Sequence, residues 1–371
     1  MSAPDLLYSQ VEEDLRDSVR RLLADRCDWT SVLARCETEQ PYDLQLWRTL
    51  AGELGLAALA VPEQVGGSGA SARELAVVAE ELGRAVAPVP FLGTVLATTV
   101  LAECSAEPAG ELLPQLADGS RIATVAVSLA SSPYSPFPRS VKADSGSLTG
   151  TASAVVELPF ADFLVVPAVD SDVPSLYLLD VSAEGVTRTE TTPLDLTRRF
   201  GTVALDGAPA QKLVSGAAAE RVLRRALLTA AGVLASEQTG LAQHCLDSTV
   251  EYSLTRYQFG RQIGSLQAIK HRLADLWTGV STARATARNA ADARAGDAAE
   301  PGLAGAPAQA YGPALAVLAA EEHLQLHGGI GMTWEHPAHL YLGRAKSAQL
   351  AFGTAERHRQ RIGELVNLPT P

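Results

Sequence analysis

Two stretches of this chain carry residue types that could hold a nucleotide. In the run Arg256-Tyr257-Gln258-Phe259-Gly260-Arg261-Gln262-Ile263-Gly264, followed by Gln267 and His271, Arg256 can donate a bidentate pair of hydrogen bonds to a diphosphate. Gln258 and Gln267 offer amides, and Phe259 offers an aromatic face to a planar ring. The same residues also describe an exposed helix end whose arginines favour the helix dipole. The second stretch is Gly328-Gly329-Ile330-Gly331, after a helix containing Gln325, where closely spaced glycines would let backbone amides approach a phosphate. Taken locally, it reads more readily as a helix C-terminus capped by glycine. No strand precedes it, as a dinucleotide-binding fingerprint requires.

Other reactive types are sparse. His323 and His327 stand four apart on a helix and could ligate a metal, but no third ligand stands at a convincing spacing, so no metal site is expected. His336 and His339 flank Pro337 and are read likewise, as helix-surface or packing residues. Cys27, Cys36, Cys104 and Cys245 have no paired spacing and suit reduced thiols. No Ser-His-Asp, G-x-S-x-G or P-loop arrangement is present.

The elements that must position these residues fall into three textures. Over 1–118 apolar positions recur at helical spacing, broken at Val61-Pro62-Glu63 and the turn Gly66-Gly67-Ser68-Gly69. Ser71, with Glu74 three residues on, predicts the start of a helix through Leu75, Val78 and Leu82 that Pro88 stops. Over 119–214 short β-rich runs follow one another, at Ile122 to Leu129, Phe163 to Val169, Ser175 to Val181 and Gly201 to Leu205, with a hairpin turn at Asp144-Ser145-Gly146-Ser147. Strands without intervening helices favour an antiparallel sheet or barrel. Over 215–371 long helices return, with Leu223, Leu227, Ala230, Leu234, Leu241 and Cys245 on one face, and Leu266, Ile269, Leu273, Leu276 and Val280 on another. A four-helix bundle accommodates this tail, with a loop expected over Arg294 to Gly305. The fold class is therefore α+β.

Composition bounds the function. A chain of 371 residues that is 47% hydrophobic can bury a substantial core. A formal net charge of −12 with dispersed Lys and Arg argues against nucleic-acid binding. The longest uncharged run, between Arg84 and Glu103, carries two prolines and is too short to span a bilayer, so a buried helix is expected there and no membrane association. Residues 1–20 contain Glu12, Glu13, Asp14 and Asp17 with no apolar leader, which makes the cytoplasm the expected location.

Together, Leu54-Gly55-Leu56 through Val61-Pro62-Glu63 to Gly66-Gly67-Ser68-Gly69, the R-x-Q-F-G-R-x-I run at Arg256 to Ile263, and Gln325 with Gly328-Gly329-Ile330-Gly331 resemble the acyl-CoA dehydrogenase family. The resemblance runs from about residue 8 to the C-terminus. It implies FAD as cofactor, with Arg256, Gln258, Phe259 and Gln267 at the diphosphate and adenine end of a flavin housed mainly in a neighbouring subunit. Gln325, Gly328 and Gly329 would line the same half of the site, and Thr354 is counted with the cofactor residues. In that family an active-site carboxylate removes the α-proton of an acyl-CoA thioester while the β-hydrogen leaves as hydride to the flavin, giving the 2-enoyl-CoA.

This sequence departs from the family at the carboxylate. The usual base is the Glu of a Tyr-Glu-Gly-Thr motif, and the matching run here is Ala351-Phe352-Gly353-Thr354. The other base position in the family falls at Ala230. Glu237, two turns on and about 10 Å along the helix, is the remaining substitute to be considered. The flavin-facing Thr-Glu-Pro-Gly segment would fall near Ser128 to Pro136, which reads Ser-Leu-Ala-Ser-Ser-Pro-Tyr-Ser-Pro. No catalytic residue is therefore assigned. The resemblance implies the non-catalytic partner in a heteromeric acyl-CoA dehydrogenase of the actinobacterial α2β2 kind. A homologous subunit would supply the Glu, an acyl-CoA would be the substrate, and an electron-transfer flavoprotein-like protein would accept the electrons. The alternatives are a self-sufficient flavoenzyme of the same fold performing an oxygen-dependent oxidation, and a structural paralogue without cofactor.

Overall fold

The computed structural model describes residues 6–38, 40–296 and 301–368. Six helices come first: α1 (Gln10–Arg26), α2 (Trp29–Cys36), α3 (Leu44–Arg48), α4 (Ala72–Arg84), α5 (Phe91–Ala102) and α6 (Glu107–Ala117). Ser9 and Glu12 close a capping box on α1, and Ser71 and Glu74 close one on α4, satisfying amides that the first turn leaves without partners. The uncharged run after Arg84 forms α5, buried on nearly every side, as a helix apolar all round should be.

Eight strands follow: β1 (Ala123–Val125), β2 (Val141–Asp144), β3 (Ser147–Val156), β4 (Phe163–Asp170), β5 (Val173–Asp180), β6 (Val186–Thr191), β7 (Phe200–Pro209) and β8 (Gln211–Ser215). They form one sheet in the order β6-β7-β3-β2-β4-β5-β8, with β1 paired to β4. The sheet is mixed rather than antiparallel throughout, because β1 and β2 both pair with β4 in parallel. A stretch of chain intervenes in each case, which a parallel pairing requires. Of the run Ile122 to Leu129, only Ala123–Val125 is strand, with Ser128 bridged to Val155. β4 and β5 are apolar along nearly their whole length because both their faces are covered. Val165, Leu176 and Leu178 face the helices, while Leu164, Val166 and Tyr177 join Leu148, Val203 and Leu205 in the interior of the curled sheet. At one edge β6 is nearly all exposed Thr, Arg and Glu, which discourages further strand pairing.

The helices that complete the chain are α7 (Ala217–Thr255), α8 (Gln267–Ala295), α9 (Pro301–His327), α10 (Ala338–Gln349) and α11 (Ala355–Leu365). A two-strand hairpin, β9 (Tyr257–Gln258) and β10 (Arg261–Gln262), separates α7 from α8. The long helices α7, α8 and α9 pack on one another, and α10 and α11 pack on α9. The loop expected over Arg294 to Gly305 is shorter: α8 runs to Ala295 and α9 starts at Pro301, while residues 297–300 lie outside the described ones. α4 crosses α7 closely enough that a Cβ on Gly240 would lie 1.8 Å from the Glu80 carbonyl oxygen, and one on Gly83 would lie 2.0 Å from that of Glu237. Only glycine fits at either crossing point, and the contact fixes the height of Glu237.

Candidate functional site

Phe352 occupies the turn between α10 and α11 with 0% of its surface exposed. Its backbone is left-handed, φ +55°, a conformation rare for a bulky side chain and held only when neighbours enforce it. They do so here. The Phe352 N–H donates to the Leu129 carbonyl at 2.7 Å, and the His358 ring, 3.0 Å from the Phe352 carbonyl, donates through Nε2–H. Arg357 Nη2 donates to the Tyr134 carbonyl at 3.2 Å. The ring joins an apolar cluster with Leu129, Leu227, Ala230, Ala231, Leu234 and Ala351. Ala230 is also 0% exposed, so both positions expected from the sequence to hold a base lie in one dry cluster.

Glu237 is committed elsewhere. Its Oε2 lies 2.6 Å from Arg198 Nη2 and its Oε1 lies 2.9 Å from Arg344 Nε, with all three side chains buried. Burial alone would raise its pKa, but the two guanidiniums outweigh burial and hold the carboxyl below the ordinary range. Arg344 also donates through Nη1 to the carbonyl and hydroxyl of Thr197, at 3.0 and 2.9 Å. The triad thus pins α7 and α10 to the loop between β6 and β7. A carboxylate with both oxygens taken by cations is a poor proton acceptor, which removes Glu237 as a substitute base.

Another buried carboxylate stands outside every motif of the sequence. Glu157 is 1% exposed and accepts from the Gly93 N–H at 2.7 Å. Burial pushes its pKa up to about 7, against the attraction of Arg198. Its signal was a lone Glu in the apolar run Val155-Val156-Glu157-Leu158.

Between the sheet and α10 lies a cleft of about 540 Å³, lined by Ser128, Leu129, Ala154, Phe200, Lys346 and Leu350 among others. It runs beside the turn bearing Phe352.

The remaining residues singled out in the sequence fall into two groups. Arg256, Gln258 and Phe259 lie on and before the β9–β10 hairpin, all exposed, with Phe259 86% exposed at its tip. The tip residues Phe259 and Gly260 have φ +52° and +72°, the pattern of a type I′ turn, which normally selects Asn-Gly. Gln267 opens α8 and its amide meets His271 Nε2 at 2.7 Å. The Tyr252 hydroxyl donates to the His327 carbonyl at 3.3 Å, which brings the end of α9, with Gln325, Gly328 and Gly329, to the same end of the bundle. Thr354 is apart from them. Its hydroxyl caps α11, accepting from the Arg357 N–H at 3.4 Å, next to Phe352. Along α7 the level of Ala230 and that of Arg256 are about 39 Å apart.

His323 and His327 are buried, not on the helix surface, and the reversal of the chain after Gly328 brings His336 to them. The ligand atoms of the three rings lie within 4.8 Å of one another. The missing third histidine was nine residues on, beyond a glycine turn whose direction spacing does not give.

The sequence matches the acyl-CoA dehydrogenase N-terminal domain over residues 9–120 and the acyl-CoA dehydrogenase C-terminal domain over residues 208–366. It is 36% identical over 356 residues to the acyl-CoA dehydrogenase IpdE2 of Mycobacterium tuberculosis, covering 96% of this chain and 97% of that protein. The chain belongs to the acyl-CoA dehydrogenase family. Among solved structures, the Tcur3481-Tcur3483 steroid ACAD G363A variant superposes with a TM-score of 0.86 at 32% identity, covering 96% of this chain and 98% of that one. The ChsE4-ChsE5 complex from Mycobacterium tuberculosis superposes with a TM-score of 0.87 at 29% identity, covering 99% and 100%. Among the described residues of this acyl-CoA dehydrogenase homologue, no helix is long and apolar enough to cross a membrane.

Proposed function

We propose that this chain is the non-catalytic subunit of a heteromeric acyl-CoA dehydrogenase, in which a homologous partner supplies the proton-abstracting carboxylate and this chain completes the partner's FAD site. One observation carries the reading: Phe352 and Ala230, at the family's two base positions, are both 0% exposed within a single apolar cluster. A side chain there can neither accept a proton nor meet a substrate. Bound FAD would supply hydride acceptance, and the substrate would be an acyl-CoA thioester.

The exposed end of the bundle supports the second half of the proposal. Arg256 has no side-chain hydrogen bond or ion pair among the described residues, which leaves its guanidinium free for a diphosphate. Each glycine of the 328–331 turn has a different reason to be there. Gly328 adopts φ +64°, and a Cβ on Gly331 would lie 2.5 Å from the Leu324 carbonyl oxygen. Gly329 has neither constraint: its φ is −55° and a Cβ would meet nothing within 4 Å. Within this chain alone Gly329 has no packing reason to be glycine, and a phosphate approaching the backbone from outside provides one. Leu254, Tyr257, Phe259, Met332 and Trp334 are all more than half exposed at this end, an apolar surface suited to a partner subunit.

The separation of the two groups supports the same assembly. Thr354 sits beside Phe352, near the level of Ala230, and Arg256 lies about 39 Å further along α7, so the two regions of this chain would serve different flavin sites. The heteromeric names of the steroid ACAD and ChsE4-ChsE5 relatives agree with a homologous partner. An electron-transfer flavoprotein-like acceptor completes the scheme. The direct test is Arg256→Ala in the complex co-purified with its partner. We expect the assembly to remain intact while FAD retention weakens about tenfold or more, the worth of a charge-assisted bond to phosphate. Unchanged FAD content would show that the motif no longer binds the cofactor.

A further inference from the structure

We propose that His323, His327 and His336 form a binding site for a borderline divalent transition metal of the zinc class, three imidazoles deep with an open fourth position. His323 and His327 are one turn apart on α9 and buried, and His336 returns from the turn that precedes α10. Their ligand atoms lie within 4.8 Å of one another, so ring rotations of under about an ångström would bring all three to the ~2.0–2.1 Å of a metal–imidazole bond.

Hydrogen-bond geometry sets the lone pairs. The Thr249 hydroxyl donates its single proton to the Cys245 carbonyl at 2.6 Å. Its oxygen, 3.1 Å from His323 Nδ1, can then only accept, so Nδ1 carries the ring proton and Nε2 bears a lone pair. That Nε2 is buried and has no hydrogen-bond partner. His327 Nδ1 faces the His323 carbonyl at 2.6 Å, which likewise protonates Nδ1 and leaves Nε2 free. Both rings are therefore held in the tautomer a metal needs, through the kind of outer hydrogen bonds that orient metal-binding histidines. His336 Nδ1 accepts from the Ala338 N–H at 3.3 Å, a long bond that a metal would have to displace before this ring could ligate.

The surroundings keep these rings neutral. Burial depresses the pKa of His323 to about 3 and that of His336 to about 4, and lowers that of His327. Ring centroids of the trio are 4.4 to 5.3 Å apart, and the buried His323 Nε2 is left without a hydrogen-bond partner, a cost that a bound cation would remove. A nitrogen-only donor set selects the zinc, cobalt, nickel and copper class over magnesium or calcium, which take oxygen. His336 is only half-buried, so water or an anionic group could fill the fourth position. A metal there would clip the end of α9, at His327 and the following Gly328, to the entry of α10.

The test uses the full chain purified without a histidine tag, stripped with chelator, and titrated with Co2+. We expect one Co2+ per chain, the strong visible d–d absorption of a tetrahedral site, and displacement by Zn2+. His336→Asn should weaken binding at least tenfold, while His339→Asn leaves it unchanged. His336→Cys should bind one Co2+ and add a sulfur-to-cobalt charge-transfer band, which marks position 336 as a ligand even where the Asn variant folds poorly. Absence of saturable binding at one equivalent, the weak absorption of an octahedral ion, or a His336→Cys variant without the charge-transfer band would each overturn the proposal.

Discussion

The backbone N–H of Phe352 donates to the carbonyl of Leu129 at 2.7 Å, which ties the turn between α10 and α11 to the segment that follows β1. By the family resemblance, Leu129 lies in the Ser128 to Pro136 stretch where the flavin-facing motif is expected, and Phe352 lies where the base is expected. The bond closes this turn over an apolar cluster. Introducing a carboxylate at 352 should therefore not recreate an active site. Phe352→Glu is expected to lower stability by about 3–5 kcal/mol, from lost packing and a carboxyl without a partner. Urea denaturation checks this, and a midpoint equal to wild type would mean that solvent reaches position 352.

Glu237 should behave as a structural anion. Glu237→Gln leaves Arg198 and Arg344 buried without their counter-charge, and a loss of about 3–5 kcal/mol is expected. Turnover per folded complex should stay near the wild-type value. A stable variant with abolished turnover would return Glu237 to the role of base.

The pH dependence of stability should carry the signature of Glu157. Its folded pKa, about 7, lies above the ordinary 4.5, so the fold holds a proton that the unfolded chain releases. The associated stability is complete below about pH 4.5 and is lost as pH rises through 7. The loss approaches about 3 kcal/mol, an upper figure from the linkage relation. Glu157→Gln keeps an acceptor for the Gly93 N–H without needing that proton. Denaturation midpoints between pH 5 and 8 should decline for wild type and stay flatter for the variant, and parallel curves would contradict this.

Gly240→Ala should be among the most damaging small changes. The added carbon would sit 1.8 Å from the Glu80 carbonyl oxygen, so α4 and α7 would have to separate. An expected loss of about 1–3 kcal/mol or more is measurable as a fall in Tm, and an unchanged Tm would mean that the crossing is looser than described.

Local signals in the sequence were readable where physics is local. Ser71 with Glu74 gave the start of α4, the Asp144 to Ser147 turn gave the β2–β3 hairpin, and the uncharged run after Arg84 gave the buried α5. Long-range pairing was not readable. The parallel registry of β1 and β2 on β4 depends on what lies between them, and β6, polar along its length, has no core face to advertise itself. The same holds for the site. The motif residues could be named individually, yet the separation of Thr354 from the group at the C-terminal end of α7, and the approach of His336 to His323 and His327, depend on chain reversals that spacing does not encode.

We propose that this chain binds one end of a flavin for a partner's chemistry. The proposal is tested most directly by purifying the chain alone and together with its co-expressed partner subunit. Bound FAD per chain is then measured, together with oxidation of an acyl-CoA by an artificial electron acceptor. Flavin and turnover are expected in the complex and neither in the chain alone; FAD bound one-to-one by the isolated chain, with acyl-CoA oxidation, would show that it is a self-sufficient enzyme.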